Sequence, residues 1–173
     1  MAELTAPLSD MLTKSVTEPL EWSSLSDKNF NTLKIFLCKP PILRLPDLEK
    51  TFCLRTGASN VGIGAVLCQY TGDLAGPVFY ASRKLLSQEK NYSAIEKECL
   101  ALVWSVDKFK YYLYGKEFII ETDHQPLTYL NTFKGSNSRL MRWALSLQPY
   151  QFTIVHVPGS INHGPDLLSR CLN

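Results

Sequence analysis

Apolar residues recur along this chain with two periods, and the change between them separates strands from helices. From Thr51 the pattern is short and strand-like. TFCLRT alternates Phe52 and Leu54 against Cys53 and Arg55, IGAVLCQY is a nearly continuous apolar run, and PVFYASR is a third such segment. The turn-like stretches GASNVG and TGDLAG separate them, so an antiparallel meander is expected, with one face of the first strand better buried than the other. After Ser87 and Glu89 the period lengthens. Ile95, Cys99, Leu102, Val103, Val106, Phe109 and Leu113 share one helical face, and Gly115 is placed to end it. A fourth strand is expected at KEFIIETD and a short helix around Gln125 to Leu130. A helix from about Ser138 to Leu147 follows, then a fifth strand at QFTIVHV and a terminal helix at PDLLSR, with Pro165 in its first turn. This order implies an α/β fold: a five-stranded mixed sheet, its first three strands antiparallel, with helices packed on it.

Upstream the signal is weaker. Residues 1–24 show little periodicity and contain Pro7 and Pro19, so they are expected to be poorly structured. Leu25, Phe30, Leu33, Ile35, Phe36 and Leu37 fit an amphipathic helix capped by Ser24 or Ser26. Pro40 and Pro41 stop it, because proline lacks an amide hydrogen and restricts the residue before it. Residues 25–49 thus read as a helical connector, and 50–173 as the domain proper.

Composition narrows the class without choosing a function. Apolar residues make up 45% of the 173 and charged residues 20%, enough to bury a core. The net charge of +2, from 18 Lys and Arg against 16 Asp and Glu, permits nucleic-acid contact but does not argue for it. Cys38, Cys53, Cys68, Cys99 and Cys171 form no Cys-x-x-Cys pair, and five is odd. Buried thiols in a reducing, intracellular setting (nuclear or cytoplasmic) fit better than a secreted disulfide framework. No leader or run of eighteen apolar residues is present, so no membrane contact is expected. The abrupt ends suggest a piece of something longer.

Three acids are placed for chemistry. Glu98 lies on the long helix between Ile95 and Leu102, on the face turned toward the sheet. Asp123 follows the apolar strand FIIET, at the strand end where ligands collect in α/β folds. Asp166 opens the last helix, after a loop containing His163. Together they could converge on Mg²⁺, which takes hard oxygen ligands. Each also has a plain reading: Asp123 as a helix cap, Asp166 as a first-turn acid favoured by the helix dipole, Glu98 as a half-exposed side chain beside Lys97.

The stretches ASNVGIGAVLCQY, PVFYASRKLLSQEKNYSAIEKECLALVWSVDKFKYYLYG, FIIETDHQPLTYL and VHVPGSINHGPDLLSR occur in that order and spacing. Together they make Thr51 to Arg170 resemble the ribonuclease H domain that follows reverse transcriptase in Ty3/gypsy-type retroelements. LEWSSLSDKNFNTLKIFLCKPPILRLPDLEKTFCLRT resembles the connection preceding that domain. The resemblance implies a ribonuclease H-like fold and four acids holding two Mg²⁺ ions that cleave the RNA strand of an RNA–DNA hybrid. Three acids match: Glu98 on the helix (with Glu96 as its rival), Asp123 at the strand end and Asp166 on the terminal helix. His163 falls where related enzymes carry a mobile histidine, and His124 takes a structural role. The fourth acid belongs at the end of the first strand, where TDAS is usual; here the sequence reads TGAS, and the position is Gly57.

A carboxylate shared by two cations offsets their repulsion and fixes their separation. Its loss is expected to cost several powers of ten in rate, on the order of 4 kcal/mol or more. Neutral Ser59 and Asn60 are poor substitutes, and nothing places Asp47 or Asp73 nearby. The expectation is an inactive or severely impaired ribonuclease H-like domain of a retroelement-derived polyprotein. It would act as a scaffold for adjacent polymerase or integrase segments, or bind a host protein, through aromatics such as Trp22, Tyr111, Tyr112 or Tyr114, although the tyrosines also read as packing onto the helix and sheet. One alternative keeps Mg²⁺-dependent cleavage by Glu98, Asp123, Asp166 and His163. Another is a non-cleaving hybrid-binding module using Lys84, Lys90, Lys97, Lys108, Lys110, Arg139 and Arg142, residues that read equally as solvated helix faces.

Overall fold

The three strand-like runs form β1 (Phe52–Ala58), β2 (Gly62–Thr71) and β3 (Leu74–Lys84). The computed structural model describes residues 2–12, 22–37, 43–72, 74–125, 127, 137–159 and 162–169. β1 pairs antiparallel with β2, setting Cys53 opposite Cys68 and Gly57 opposite Gly64. β2 pairs antiparallel with β3, with an irregularity at Leu67/Cys68. Gly72 supplies the positive φ (60°) needed at the second turn.

The helical period is realised as α3 (Ala94–Lys108), opened by a capping box between Ser93 and Glu96. A short turn, α4 (Lys110–Leu113), and Gly115 at φ 73° follow. The chain then returns as β4 (Glu117–Thr122), parallel to β1. α5 (Ser138–Leu147) starts at Asn137, whose side chain accepts from the amides of Arg139 and Leu140. β5 (Gln151–His156) lies parallel to β4, and α6 (His163–Ser169) closes the fold. The sheet order is β3-β2-β1-β4-β5, the mixed sheet expected from the pattern. The short helix expected around Gln125 to Leu130 lies mostly outside the described residues.

Two layers cover the sheet. On one face Phe52, Leu54, Leu67, Phe118 and Ile120 pack against Cys99, Leu102 and Val106 of α3. Each fully buried side chain of this kind stabilises the fold by about 1.5–3 kcal/mol. On the other face Cys53, Val66 and Cys68 pack with Leu168 of α6. This corrects the expectation of a one-sided first strand: β1 is central, and Phe52, Cys53 and Leu54 are all fully buried. The thiols of Cys53, Cys68 and Cys99 are free and buried; burial pushes those of Cys68 and Cys99 up to about 11 and 12. Cys38 and Cys171 lie outside the described residues. No helix among the described residues is long and apolar enough to cross a membrane.

The N-terminal expectations need two corrections. Ala2–Asp10 is a helix, α1, rather than poorly structured. Leu4 is buried, α1 packs against α2 (Ser24–Leu37) and β3, and Asp10 pairs with Lys84. These tertiary contacts hold a segment whose own period is weak. The cap of α2 is Ser23, whose hydroxyl accepts from Ser26 N at 3.1 Å, not Ser24 or Ser26. Within the connector the described helix is α2, over the stretch from Leu25 to Leu37 where one was expected. Residues 43–47 are irregular, with Pro46 unable to donate and Arg44 N bound to Pro77 O at 2.8 Å along β3.

Candidate functional site

Two acids of α3, two residues apart and so on opposite sides of the helix, have different partners. Glu96 belongs to the helix start: its carboxylate accepts from Ser93 N (2.9 Å), Asn137 Nδ2 (3.2 Å) and Arg139 (2.6 Å). The Ser93 amide foremost, then these side chains, hold its pKa down to about 2. Arg139 in turn stacks on Tyr92 at 4.0 Å. Glu98 reaches instead across to the sheet, where Oε1 accepts from Ala58 N at 3.3 Å. Of the two rivals, Glu98 is the one beside the end of β1.

Asp123 follows β4 directly after Thr122, is exposed, and is met by His156 and Asn162. Its carbonyl meets His156 Nε2 at 3.2 Å, and Val157 N donates to Thr122 O at 2.9 Å. Asn162 Nδ2 donates to Asp123 Oδ1 at 3.4 Å and to Thr56 O at 3.0 Å. A Cβ on Gly159 would stand 3.5 Å from Oδ2, an ordinary van der Waals contact. β1 and β4 pair with a constant offset, Arg55 opposite Glu121. Continuing that offset two residues sets Gly57 level with Asp123.

The backbone of α6 carries His163 and Asp166 over this same place, though their side chains lie outside the described residues. A Cβ on Gly64, the partner of Gly57, would stand 2.6 Å from both Leu168 Cβ and Pro165 O, so only glycine admits the helix this closely. At its far end Ser59 Oγ donates to Ser169 O at 2.6 Å.

The sequence-predicted residues therefore gather as follows. Glu98 stands beside Ala58, Gly57 is level with Asp123, and the α6 backbone crosses Gly64. Among the described residues no group of three His, Cys, Asp or Glu is placed to hold a metal ion. Among the described residues the carboxylates here are Glu98, beside Ala58, and Asp123, level with Gly57, which supplies no side-chain oxygen. The sequence-level substitutes are otherwise engaged. Ser59 closes its own turn and binds α6, and Asn60 Oδ1 accepts from Lys97 Nζ at 2.9 Å. Asp47 sits at the opposite end of β2, beside Gln69, and Asp73 lies outside the described residues.

Sequence reasoning missed Asn162. Its position just before a helix suggests only a cap, and its partners lie 106 and 39 residues away. It also misjudged Lys97, which is only 9% exposed and lines a cleft of about 410 Å³ between residues 58–61 and the first turn of α3. Of the basic residues proposed for a backbone groove, Lys84, Lys97, Lys110 and Arg139 are engaged with Asp10, Asn60, Asp107 and Glu96. Tyr112 packs on Phe52 and Phe79, whereas Tyr111 is 89% exposed and Tyr114 is also exposed.

Residues 47–150 match the family described as the RNase H-like domain found in reverse transcriptase. The chain is 43% identical over 172 residues to a retrovirus-related Pol polyprotein from transposon 297 of Drosophila melanogaster, covering 98% of this chain and 16% of that protein. It is 38% identical over 177 residues to the transposon Tf2-3 polyprotein of Schizosaccharomyces pombe, covering 99% of this chain and 13% of that protein. It thus spans about a sixth or less of the length of these relatives. Among solved structures, a foamy viral protease-reverse transcriptase in complex with double-stranded DNA superposes with a TM-score of 0.73 at 18% identity, over 90% of this chain and 28% of that one. RNase H1 from the archaeon Halobacterium salinarum gives 0.53 at 16% identity, over 68% of this chain and 93% of that one. At these identities the structures speak for the fold alone, but with the family match and the transposon relatives the assignment is complete: the chain belongs to the RNase H-like domain family of reverse transcriptases.

Proposed function

We propose that this is a ribonuclease H-like domain whose nuclease chemistry is lost or severely impaired, serving as a scaffold or protein-interaction module of a retroelement-derived polyprotein. The observation that carries this reading is Gly57, level with Asp123 at the end of β1. By the family resemblance that position holds the carboxylate shared by two Mg²⁺ ions. Glycine offers only backbone there, and catalysis by preorganised charge is weakened accordingly. Glu98, Asp123 and Asp166, with His163, are the vestige of the cleaving site.

The fold has reason to survive this loss. Removing one acid from a cluster relieves repulsion when no cation is bound. Half-exposed Trp22, set edge-on against Phe30, and the exposed Tyr111 and Tyr114 offer surface for another protein. Adjacent polymerase or integrase segments are natural candidates, because the relatives are polyproteins. Three buried free thiols support a reducing, intracellular setting, nuclear or cytoplasmic.

A foamy viral protease-reverse transcriptase of the same fold has been solved with an RNA/DNA hybrid, which supports the second reading, Mg²⁺-dependent hybrid cleavage. One assay separates the two: cleavage of an RNA–DNA hybrid with Mg²⁺, run on the chain and on Gly57→Asp. The unaltered chain is expected to leave the hybrid intact, and the variant to recover part of the activity. Hydrolysis by the unaltered chain that disappears in Asp123→Asn would overturn the proposal.

A further inference from the structure

We propose that Asn162 is the positioning residue of this site: its side-chain amide ties β1 to the end of β4 and sets where Asp123 points, with no cation required. This rests on the site assignment made under the proposed function and deepens it.

Asn162 is 1% exposed and stands one residue ahead of α6. An asparagine there ordinarily accepts from the first helical amides. Here its nitrogen turns the other way, donating to Thr56 O at 3.0 Å and to Asp123 Oδ1 at 3.4 Å. Both partners are pure acceptors, a carbonyl and a carboxylate, so the group between them must present two donor hydrogens. An NH₂ does this from one atom, whereas a hydroxyl has one hydrogen and a carboxylate none. The remaining oxygen, Oδ1, is buried and accepts nothing among the described residues. Both donor hydrogens of this buried amide thus go to acceptors on other elements, the carbonyl of Thr56 and the carboxylate of Asp123.

The geometry makes the tie specific. Thr56 O belongs to the peptide leading into Gly57, and Asp123 is level with Gly57 on the neighbouring strand. A second hydrogen bond from the same region, Val157 N to Thr122 O, fixes the loop but not the carboxylate. Asn162 therefore spans the gap on the side where Gly57 contributes no side chain. Outer partners of this kind orient a functional carboxylate, and their removal typically costs about 10–100-fold in activity or metal affinity.

The test is made on the full chain by amide hydrogen exchange and NMR. In the unaltered protein the two Asn162 side-chain amide protons are expected to be protected and scalar-coupled to the Thr56 carbonyl carbon; freely exchanging protons overturn the proposal. In Asn162→Ala, and in the isosteric Asn162→Asp that keeps volume but removes the donor, exchange at Gly57, Ala58 and Asp123 is expected to rise by about tenfold or more. Amides of Leu67 and Leu102 should stay as they were. A rise spread evenly over the sheet, or none, assigns Asn162 a merely structural role. In the Gly57→Asp background, Asn162→Ala is expected to lower kcat by about 10–100-fold with KM unchanged. An unchanged kcat, or a loss confined to KM, counts against positioning. If Gly57→Asp does not cleave, it is the proposed function that fails, and the exchange pattern still decides the part played by Asn162.

Discussion

Two rungs, the paired Arg55 and Glu121 and the level of Asp123 just past the end of β4, carry the same kind of acid with opposite consequences. At the lower rung Glu121 of β4 faces Arg55 of β1; the ion pair closes at 2.6 Å, and the Tyr70 hydroxyl donates to the other carboxylate oxygen at 2.5 Å. Two residues further along, Asp123 is level with a glycine and is met instead by a neutral amide from a distant loop. Glu121 is buried and satisfied by charge, whereas Asp123 is exposed and held only in direction. The lower rung is therefore expected to contribute stability. The upper rung, exposed to solvent, is expected to contribute little.

The contrast can be broken most sharply from below. Arg55→Met leaves Glu121 buried without its cation and is expected to cost about 3–5 kcal/mol in urea unfolding, while Arg55→Met with Glu121→Leu should recover most of that. A recovery of less than half would mean that Tyr70 and the thiols beside it, rather than the ion pair, set the cost. Next comes the helix covering the upper rung. Gly64→Val places its Cβ against Leu168 and the Pro165 carbonyl, and is expected to cost about 2–3 kcal/mol by the same measurement.

A smaller effect separates the two acids of α3. The pKa of Glu96 is held down from 4.5 to about 2 in the folded chain. Its contribution is thus fully present above about pH 4.5 and is lost as pH falls through about 2. Urea midpoints at pH 5 and pH 2.5 should fall further apart in the unaltered chain than in Glu96→Gln; equal falls would show that Arg139 and Ser93 do not favour the charged form. The smallest change is at the upper rung itself. Asp123→Asn is expected to leave stability within about 0.5 kcal/mol, and a large loss would mean that this acid is a structural one like Glu121.

Much of this architecture is legible from local pattern. The α3 stripe through Cys99, Leu102 and Val106 and the Gly-bounded strands announce themselves, because burial on a single layer leaves a clean period. The period fails where a second layer intrudes. Cys53 looks outward-facing in TFCLRT, yet α6 covers it from a position more than a hundred residues later. α1 was illegible for the same reason, its order coming from α2 and β3 rather than from its own sequence. At the site, Glu98 and Asp123 are placed by elements that the sequence shows directly. Asn162 is not, since its donor hydrogens matter only through Thr56 and Asp123, and no local rule connects those three.

The fastening of α6 also has a consequence in time. Asn162 to Thr56 and Ser59 to Ser169 are contacts across 106 and 110 residues, so β1 leaves the ribosome long before the helix that covers its second face. At ordinary translation speeds that interval is roughly 5–20 seconds. Throughout it Cys53, Val66 and Cys68 lie open to a chaperone or to a neighbouring nascent chain.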